Sequence, residues 1–290
     1  MTTPSLLRLP LLVAGLLATT SLFAQAPAPQ IAFPALSPES TLKQKIGFTD
    51  IEVVYSRPSA KGRKIVGDLV PHGEVWRTGA NTATRITFST PVKLGGQPLA
   101  AGAYALYSIP GATEWTIIFN KVTGEWGAYT YKPDADVLRV KVKPVAITPA
   151  VETFLIDIND IRPESATLNL TWEQTRVPLK IEVDVIAPVR MQIEAAMASG
   201  AKLPAATYFN AALFYFDNNL DLNKAKAWIT EATAGDAPAF YMVHLKAKIL
   251  AKLGDKAGAI AAARQSIAAA EGAAKAEYIR LNEAIIASLQ

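Results

Sequence analysis

The chain has 290 residues, half of them apolar, and its 29 basic side chains nearly balance 25 acidic ones, which gives a formal net charge of +4. A charge so evenly balanced does not indicate a nucleic-acid-binding surface. Cysteine is absent, so disulfide bonds cannot contribute to stability, and the fold has to rest on the burial of apolar side chains.

The N-terminus is typical of a secretory signal peptide, because Arg8 precedes the apolar run "LPLLVAGLLA" and small residues follow. The run is about half of the roughly 20 residues that a helix needs to cross a bilayer. We therefore predict a signal peptide over residues 1–26, cleaved after Ala24 or Ala26, and a linker over residues 27–37. We expect the protein to be exported, periplasmic or extracellular, with no transmembrane segment after signal removal.

From about residue 43 to residue 183 apolar and polar residues alternate, which is the two-residue repeat of strands with one buried face. Thr84, Ile86 and Phe88 share one such face. The same pattern predicts strands over residues 115–119, 138–142, 166–172 and 177–183. Because turn signals and no helical stretch separate them, we predict an antiparallel β-sandwich or jelly-roll-like domain over residues 38–186.

After Pro188 the apolar spacing changes to three and four residues, which predicts helices to the end of the chain. An echo at 34 residues pairs Asp221 with Asp255 and Ala225 with Ala259, and this period is typical of tetratricopeptide repeats. We predict an all-α, tetratricopeptide-like domain over residues 187–290, so the fold class is α+β in two segregated parts. So few repeats bury little surface alone, and we expect the helices to pack against the β domain.

Two strings carry a resemblance to a known family: Tyr55-Ser-Arg-Pro58 and Trp76-Arg-Thr-Gly-Ala-Asn81. With the stretches "GAYALYSIP", "EWTIIFN" and "WGAYTY", they resemble a family of exported bacterial proteins known as domain of unknown function 2911. The resemblance extends from about residue 47 to residue 183. It implies an exported β-rich domain, often followed by a helical extension, and it implies no reaction.

A run of cations lies in a predicted loop between strands, and Arg77 and Arg85 follow within a short distance. Guanidinium groups that converge suit bidentate binding of carboxylate or phosphate. The alternative is that the cations face water or pair with carboxylates near in sequence. The cations are Arg57, Lys61, Arg63 and Lys64, and the carboxylates are Asp50, Glu52, Asp68 and Glu74.

The stretch "WRTGANTAT", residues 76–84, has two interpretations. Gly79 and Asn81 favour a tight loop that Trp76 packs onto the sheet. The same loop can instead present Arg77 and Asn81 to a ligand, since loops on rigid sheets carry many binding residues.

The segment "TGEWGAYTYKPDAD" is loop-like, and we expect its aromatic residues Trp126, Tyr129 and Tyr131 at the surface. Rings with an apolar body and a polar tip suit a sugar ring or a partner surface. We include Trp126 and Tyr129 in the candidate ligand site, which comprises Arg57, Lys61, Arg63, Trp76, Arg77, Asn81, Trp126 and Tyr129.

Residue types for catalysis are scarce. The two histidines, His72 and His244, lie in different predicted domains, and no phosphate-binding glycine loop occurs. We therefore predict no catalytic residues, no metal site and no cofactor. The favoured function is non-catalytic binding of a small-molecule or polymeric ligand, with a possible protein partner through the helical domain. The alternatives are a structural accessory subunit and a hydrolase of an envelope or dietary polymer, with acid and base among Asp134, Asp136 and Glu114.

Overall fold

The computed structural model describes residues 33–290, so the predicted signal peptide and most of the linker lie outside the described residues. Within that range ten strands come first: β1 (Glu39–Ile46), β2 (Thr49–Ser56), β3 (Ala80–Phe88), β4 (Val92–Leu94), β5 (Gln97–Leu99), β6 (Gly102–Ile109), β7 (Trp115–Asn120), β8 (Asp136–Val142), β9 (Val145–Arg162) and β10 (Ser165–Val183). Six helices follow in the same range: α1 (Ile186–Ala198), α2 (Ala205–Asp217), α3 (Leu222–Ala232), α4 (Phe240–Lys252), α5 (Lys256–Ala269) and α6 (Lys275–Leu289). The predicted fold class, α+β in two segregated parts, is confirmed.

The strands form two antiparallel sheets in the described part of the chain. One has the order β1-β2-β3-β6-β7-β8, and the other has the order β5-β4-β10-β9. Alternate residues of both sheets meet in one apolar core, as Ile86 and Phe88 of β3 and Leu168 and Leu170 of β10 illustrate. The alternation in the sequence therefore corresponds to two sheets that share one buried layer.

β10 joins two stretches that the sequence pattern separates into two strands. Its inward residues have even numbers up to Trp172 and odd numbers from Val177 onward. The pairing with β9 shifts register on both sides of Glu173, whose φ is 48°. The pairing is therefore irregular around Glu173, and the side chains of β10 that face the core change there from even to odd numbers.

The opposite face of the six-stranded sheet carries a smaller apolar cluster of Ala83, Ala105, Tyr107 and Ile118. Ala128 and Tyr131, from the connection between β7 and β8, pack over it. Residues 121–131 of this connection, hereafter the aromatic loop, therefore cover part of the outer face of the sheet.

The helical half consists of antiparallel pairs, α2 with α3 and α4 with α5, followed by α6. Asp221 accepts hydrogen bonds from the backbone at the start of α3, and Asp255 does the same for α5. Ala225 and Ala259, which have equivalent positions in the two pairs, are completely buried. The 34-residue echo thus marks equivalent caps and helix crossings in successive helix pairs.

Among the described residues the helices have apolar clusters of their own, one around Tyr215 and Ile229 and one around Val243 and Ala263. The core cluster of the β domain consists of strand and loop residues, and Val185 is the last residue in the sequence that packs against it. No helix in residues 33–290 is long and apolar enough to cross a membrane.

Candidate functional site

The segment that connects β2 to β3 crosses from the six-stranded sheet to β9 of the other sheet. Ser59 and Thr153 share a hydroxyl–hydroxyl hydrogen bond of 2.9 Å, and the backbone N–H of Ala60 donates to the carbonyl of Glu152 at 2.8 Å. Residues 57–64, hereafter the basic loop, are therefore fixed along the part of β9 that contains Glu152 to Phe154.

The arginines of the basic loop brace its backbone. Arg57 Nε donates to the carbonyl of Phe154 at 3.0 Å. Arg63 donates from Nε to the carbonyl of Ala60 at 2.9 Å and from Nη2 to the carbonyl of Ser59 at 2.8 Å. Each guanidinium is thereby held in one orientation, while the terminal nitrogens that make no such bond remain available.

The positive charge of this region is not neutralised by pairing. Glu52 forms ion pairs with Lys43 at 2.9 Å and Arg85 at 3.5 Å, and Asp50 pairs with Lys45 at 2.8 Å. In the described part of the chain, no salt bridge involves Arg57, Lys61, Arg63, Lys64 or Arg77. The carboxylates near in sequence therefore account for Arg85 but not for the other five cations.

A groove of about 380 Å³ lies where the basic loop meets the two long strands. Arg63 and Lys64 line one side, and Glu152 and Glu173 line the other. Both carboxylates accept backbone N–H groups of the opposite segment, at distances of 2.7 Å from Lys61 and 2.8 Å from Ile65. The acids thus tie down the connecting segment without forming an ion pair with the cations.

The stretch over residues 76–84 is held by an internal hydrogen-bond network. Trp76 Nε1 donates to the carbonyl of Gly79 at 3.1 Å, and Thr84 Oγ1 donates to the carbonyl of Thr78 at 2.5 Å. The hydroxyls of Thr78 and Ser108 are 2.9 Å apart. The first two bonds act within the loop, and the third attaches it to β6.

Asn81 joins three segments of the sandwich. Its φ is 58°, in the left-handed region, and its Nδ2 donates to the carbonyl of Ser37 and to Oγ of Ser56, both at 3.2 Å. Its backbone carbonyl accepts the N–H of Gly127 at 2.9 Å. Asn81 thus bonds through its side chain to the residue before Arg57 and through its backbone to the residue after Trp126, so the start of the basic loop and the middle of the aromatic loop both lie beside it.

Arg77 differs from its neighbours. Trp76 turns into the core, and Val75 packs on the outer cluster, so alternation places the side chain of Arg77 on the outer face. The residue is half-buried, and its Nε is shielded from solvent with no hydrogen-bond partner among the described residues.

The aromatic loop presents the most exposed aromatic rings of the described β domain. Trp126 is 64% exposed and Tyr129 is 85% exposed. The loop backbone is nonetheless fixed to β3, because the N–H of Ala83 donates to the carbonyl of Glu125 at 2.9 Å. A Cβ at Gly127 would come within 2.6 Å of the Tyr129 ring, so this ring lies directly on the loop backbone.

A buried carboxylate anchors the C-terminal end of the aromatic loop. Asp136, whose side chain is 7% exposed, pairs with Arg139 at 2.8 Å. It also accepts hydrogen bonds from Asn120 Nδ2 at 2.7 Å and from the Tyr131 hydroxyl at 2.6 Å. Burial, followed by the hydrogen bond to Asp136, raises the pKa of Tyr131 to about 12. Burial, and then the nearby carboxylates of Glu125 and Asp136, also raise the pKa of Tyr107 beneath the loop.

The three carboxylates considered as the acid and base of a hydrolase have different surroundings. Asp136 is fully engaged as described above, and Glu114 pairs with Lys141 at 2.9 Å. Asp134 is exposed in the 3-10 turn Pro133–Ala135. No group of three or more His, Asp or Glu side chains within residues 33–290 is arranged to hold a metal ion. The two histidines are also apart: His72 is an exposed loop residue, and His244 Nδ1 bonds to Asn282 at 2.9 Å.

A cluster of aromatic side chains between the sheets was not predicted from the sequence. Trp76 stacks on Trp172 with ring centroids 5.9 Å apart and meets Phe154 and Trp115 edge-on at 5.1 and 6.4 Å. Alternation identifies Trp115 and Trp172 as core residues. Their meeting with Trp76 depends on contacts between segments that are 39 and 96 residues apart, for which the sequence has no local signal.

Searches of curated proteins and of solved structures found no match to the chain. A family model described as Protein of unknown function (DUF2911) matches residues 37–181. The match covers half of the chain and includes the basic loop, the network around Asn81, the aromatic loop and all of the strands except the last two residues of β10. The chain therefore belongs to the DUF2911 family.

Proposed function

We propose that this is an exported, non-catalytic binding protein whose β domain holds an acidic sugar polymer on the aromatic loop. The observation that carries the proposal is the exposure of Trp126 and Tyr129 on a loop whose backbone is fixed to β3. Folding alone gives no reason for this exposure, because an aromatic side chain contributes to stability mainly by the area that it buries.

The apolar faces of sugar rings suit such a surface. Stacking removes apolar area of both partners from water, and each square ångström contributes about 25 cal/mol. The loop is already ordered by its bonds to Ala83 and Asn81. Because a preformed surface loses little conformational freedom on binding, more of the stacking free energy appears as affinity.

Charge favours an acidic rather than a neutral polymer. The cations of the basic loop form no salt bridge with a carboxylate among the described residues, and the guanidinium groups of Arg57 and Arg63 are oriented by backbone carbonyls. Asn81 connects both loops, so a chain of several sugar units that stacks on the aromatic loop has cations close by. Arginine binds carboxylates and phosphates of such a polymer in a bidentate manner.

The alternatives receive less support. A hydrolase needs an acid and a base in reach of one ligand, whereas Asp136 and Glu114 are engaged with Arg139 and Lys141. A purely structural subunit gives no role to the exposed rings. In this proposal the helical half, which buries its own clusters, contacts a protein partner.

Retention on immobilised polysaccharides tests the proposal. The panel contains acidic polymers with uronate or phosphate groups and neutral polymers of the same backbone. The variants are Trp126→Ala and Tyr129→Ala, and the control is Phe48→Ala, which removes a ring that is 47% exposed in the β1–β2 turn. We expect retention on an acidic polymer, about tenfold weaker binding for each loop variant, and no change for Phe48→Ala.

The expected affinity also falls as salt is added, since exposed charges are screened. Equal retention of the wild type and both loop variants would remove the aromatic loop from the proposal. Preference for the neutral polymers would remove the role of the cations.

Export is a separate part of the proposal. We expect the full-length chain to appear in the periplasm or medium and a chain that lacks residues 2–26 to remain in the cytoplasm. Equal distribution of the two chains would contradict it.

A further inference from the structure

Arg77 is a partly buried cation without a partner. In the described part of the chain it forms no salt bridge, and its Nε is shielded from solvent without a hydrogen-bond partner. The two terminal nitrogens are not shielded in this way, so a ligand can reach them. A charge that is taken out of water is usually paired and hydrogen-bonded. The guanidinium of Arg77 is therefore a binding group that the fold itself does not use.

The other partly buried arginine shows the usual arrangement. Of the described arginines, Arg57 and Arg77 are partly buried and the rest are exposed. Arg57 Nε donates to the carbonyl of Phe154 at 3.0 Å. Even the exposed Arg85 of β3 pairs with Glu52, at 3.5 Å. Folding therefore gives a partner to the guanidinium of Arg57 but not to that of Arg77.

Arg77 lies beside the aromatic loop. The backbones of Trp76 and Ser108 exchange two hydrogen bonds, of 2.8 and 2.9 Å. In an antiparallel pairing the next residues, Arg77 and Tyr107, then lie opposite each other, with Cβ atoms about 5 Å apart. Tyr107 belongs to the outer cluster, and the ring of Tyr131 from the aromatic loop meets it edge-on at 5.0 Å. Arg77 therefore lies next to the part of the sheet on which the aromatic loop packs.

The single charge of Arg77 matches a ligand group with one negative charge. The carboxylate of the aromatic loop, Glu125, accepts the hydroxyl of Thr130 and forms no salt bridge with a described residue. A planar carboxylate can accept two parallel N–H bonds from a guanidinium. Because Arg77 is partly removed from water, its attraction to such a group is stronger than that of a fully exposed cation.

We propose that Arg77 is a carboxylate-binding residue and that it holds the acid group of a uronate unit while a neighbouring sugar unit stacks on the aromatic loop. The terminal nitrogens of Arg77 donate to the two carboxylate oxygens. The part that concerns the sugar rests on the proposed function, and it narrows the substrate class to polymers that contain uronate.

The Nε–H of Arg77 provides a test that needs no polymer. Because this atom is shielded from solvent, its proton should exchange slowly with water and give a ¹H–¹⁵N signal at neutral pH, which Arg77→Lys identifies by its loss. Sodium acetate is the probe, and sodium chloride at the same ionic strength is the control. We expect a saturable shift with acetate and none with chloride. A signal that acetate moves no more than chloride does would overturn the proposal.

Retention on polyuronates tests the sugar part. The polymers are polygalacturonate and alginate, each compared with its methyl ester, which has the same backbone without the charge. We expect Arg77→Gln to bind one of the acidic polymers about tenfold more weakly than the wild type and the methyl ester equally well. Arg77→Lys should recover part of the affinity, because an ammonium group keeps the charge but lacks the planar fork. Arg85→Gln removes the same charge from a residue that already has a partner and should match the wild type.

Stability separates ligand binding from a structural role. Arg77→Met keeps the apolar stem of the side chain and removes its charge. Because no bond of the described fold is lost, its urea midpoint should be no lower than that of the wild type. A clearly lower midpoint would show that the guanidinium holds the fold and would overturn the proposal.

The outcomes distinguish this inference from the proposed function. If acetate moves the Arg77 signal and no polymer is retained, the proposed function fails and Arg77 remains a carboxylate-binding residue. If an acidic polymer is retained equally by the wild type and Arg77→Gln, the proposed function stands and the assignment of Arg77 fails.

Discussion

Replacing Asn81 by glycine and, separately, by alanine separates its backbone role from its side-chain hydrogen bonds. Both changes remove the two bonds from Nδ2 to Ser37 and Ser56. A hydrogen bond contributes about 0.5–1.5 kcal/mol, so Asn81→Gly should lower the free energy of unfolding by about 1–3 kcal/mol. The φ of 58° costs alanine a further amount of about 1 kcal/mol, since a Cβ disfavours the left-handed region.

Urea denaturation followed by intrinsic fluorescence measures these differences. The order of stability should be wild type, then Asn81→Gly, then Asn81→Ala. Thr82→Ala changes the exposed neighbour, whose side chain makes no hydrogen bond with a described residue, and should stay within about 0.5 kcal/mol of the wild type. If both Asn81 variants were as stable as Thr82→Ala, Asn81 would not hold the three segments together, and its place in the loop would have to be explained by a ligand.

Three further changes test the structure. The raised pKa of Tyr131 means that its neutral form stabilises the fold fully below about pH 10 and that this contribution is lost as the pH rises towards about 12. The melting temperature of Tyr131→Phe should therefore fall less steeply than that of the wild type between these pH values. An unchanged profile would contradict the bond to Asp136. The pKa of His244 is lowered, first by burial and then by Lys248, against the hydrogen bond that Nδ1 donates to Asn282 Oδ1, which raises it. The neutral ring therefore contributes stability above about pH 6.5 that is lost as the pH falls through its lower folded pKa, and His244→Leu should weaken this acid dependence in urea titrations at pH 7.5 and 5. Ala259→Leu, at a completely buried helix crossing, should cost about 1–3 kcal/mol by overpacking, and a variant as stable as the wild type would show that α5 has room there.

The strands were predictable because one face of each is buried. Thr84, Ile86 and Phe88 are all buried in β3, as the alternation indicates. The break in phase between Trp172 and Val177 was visible as well, but alternation alone reads it as two strands. The structure has one continuous strand instead, with an irregular pairing around Glu173, because a strand can change phase locally without leaving the sheet.

In the helical half, the most informative residues were the repeated aspartates. Asp221 and Asp255 cap α3 and α5, so a short polar residue before an apolar run identified where helices begin. The small side chains of Ala225 and Ala259 indicated close helix crossings, because a small residue lets two helices approach each other closely.

The site was less accessible to sequence reasoning, because its contacts are long-range. Arg57 bonds to Phe154, which is 97 residues away, and no local pattern indicates that partner. Asn81 and Arg77 are four residues apart and have different surroundings: Asn81 is bonded to Ser37 and Ser56, whereas Arg77 Nε has no partner among the described residues. Residue type favours a polar loop in both cases, and only the fold distinguishes the two surroundings.

The central claim is that the exposed rings of the aromatic loop bind sugar. Titration calorimetry with an oligosaccharide prepared from the retained acidic polymer, on the wild type and on the variant with both Trp126→Ala and Tyr129→Ala, tests it most directly. We predict a loss of affinity of at least about tenfold, while the free energy of unfolding stays within about 0.5 kcal/mol, because both side chains are largely exposed. An affinity of the double variant equal to that of the wild type would contradict the claim.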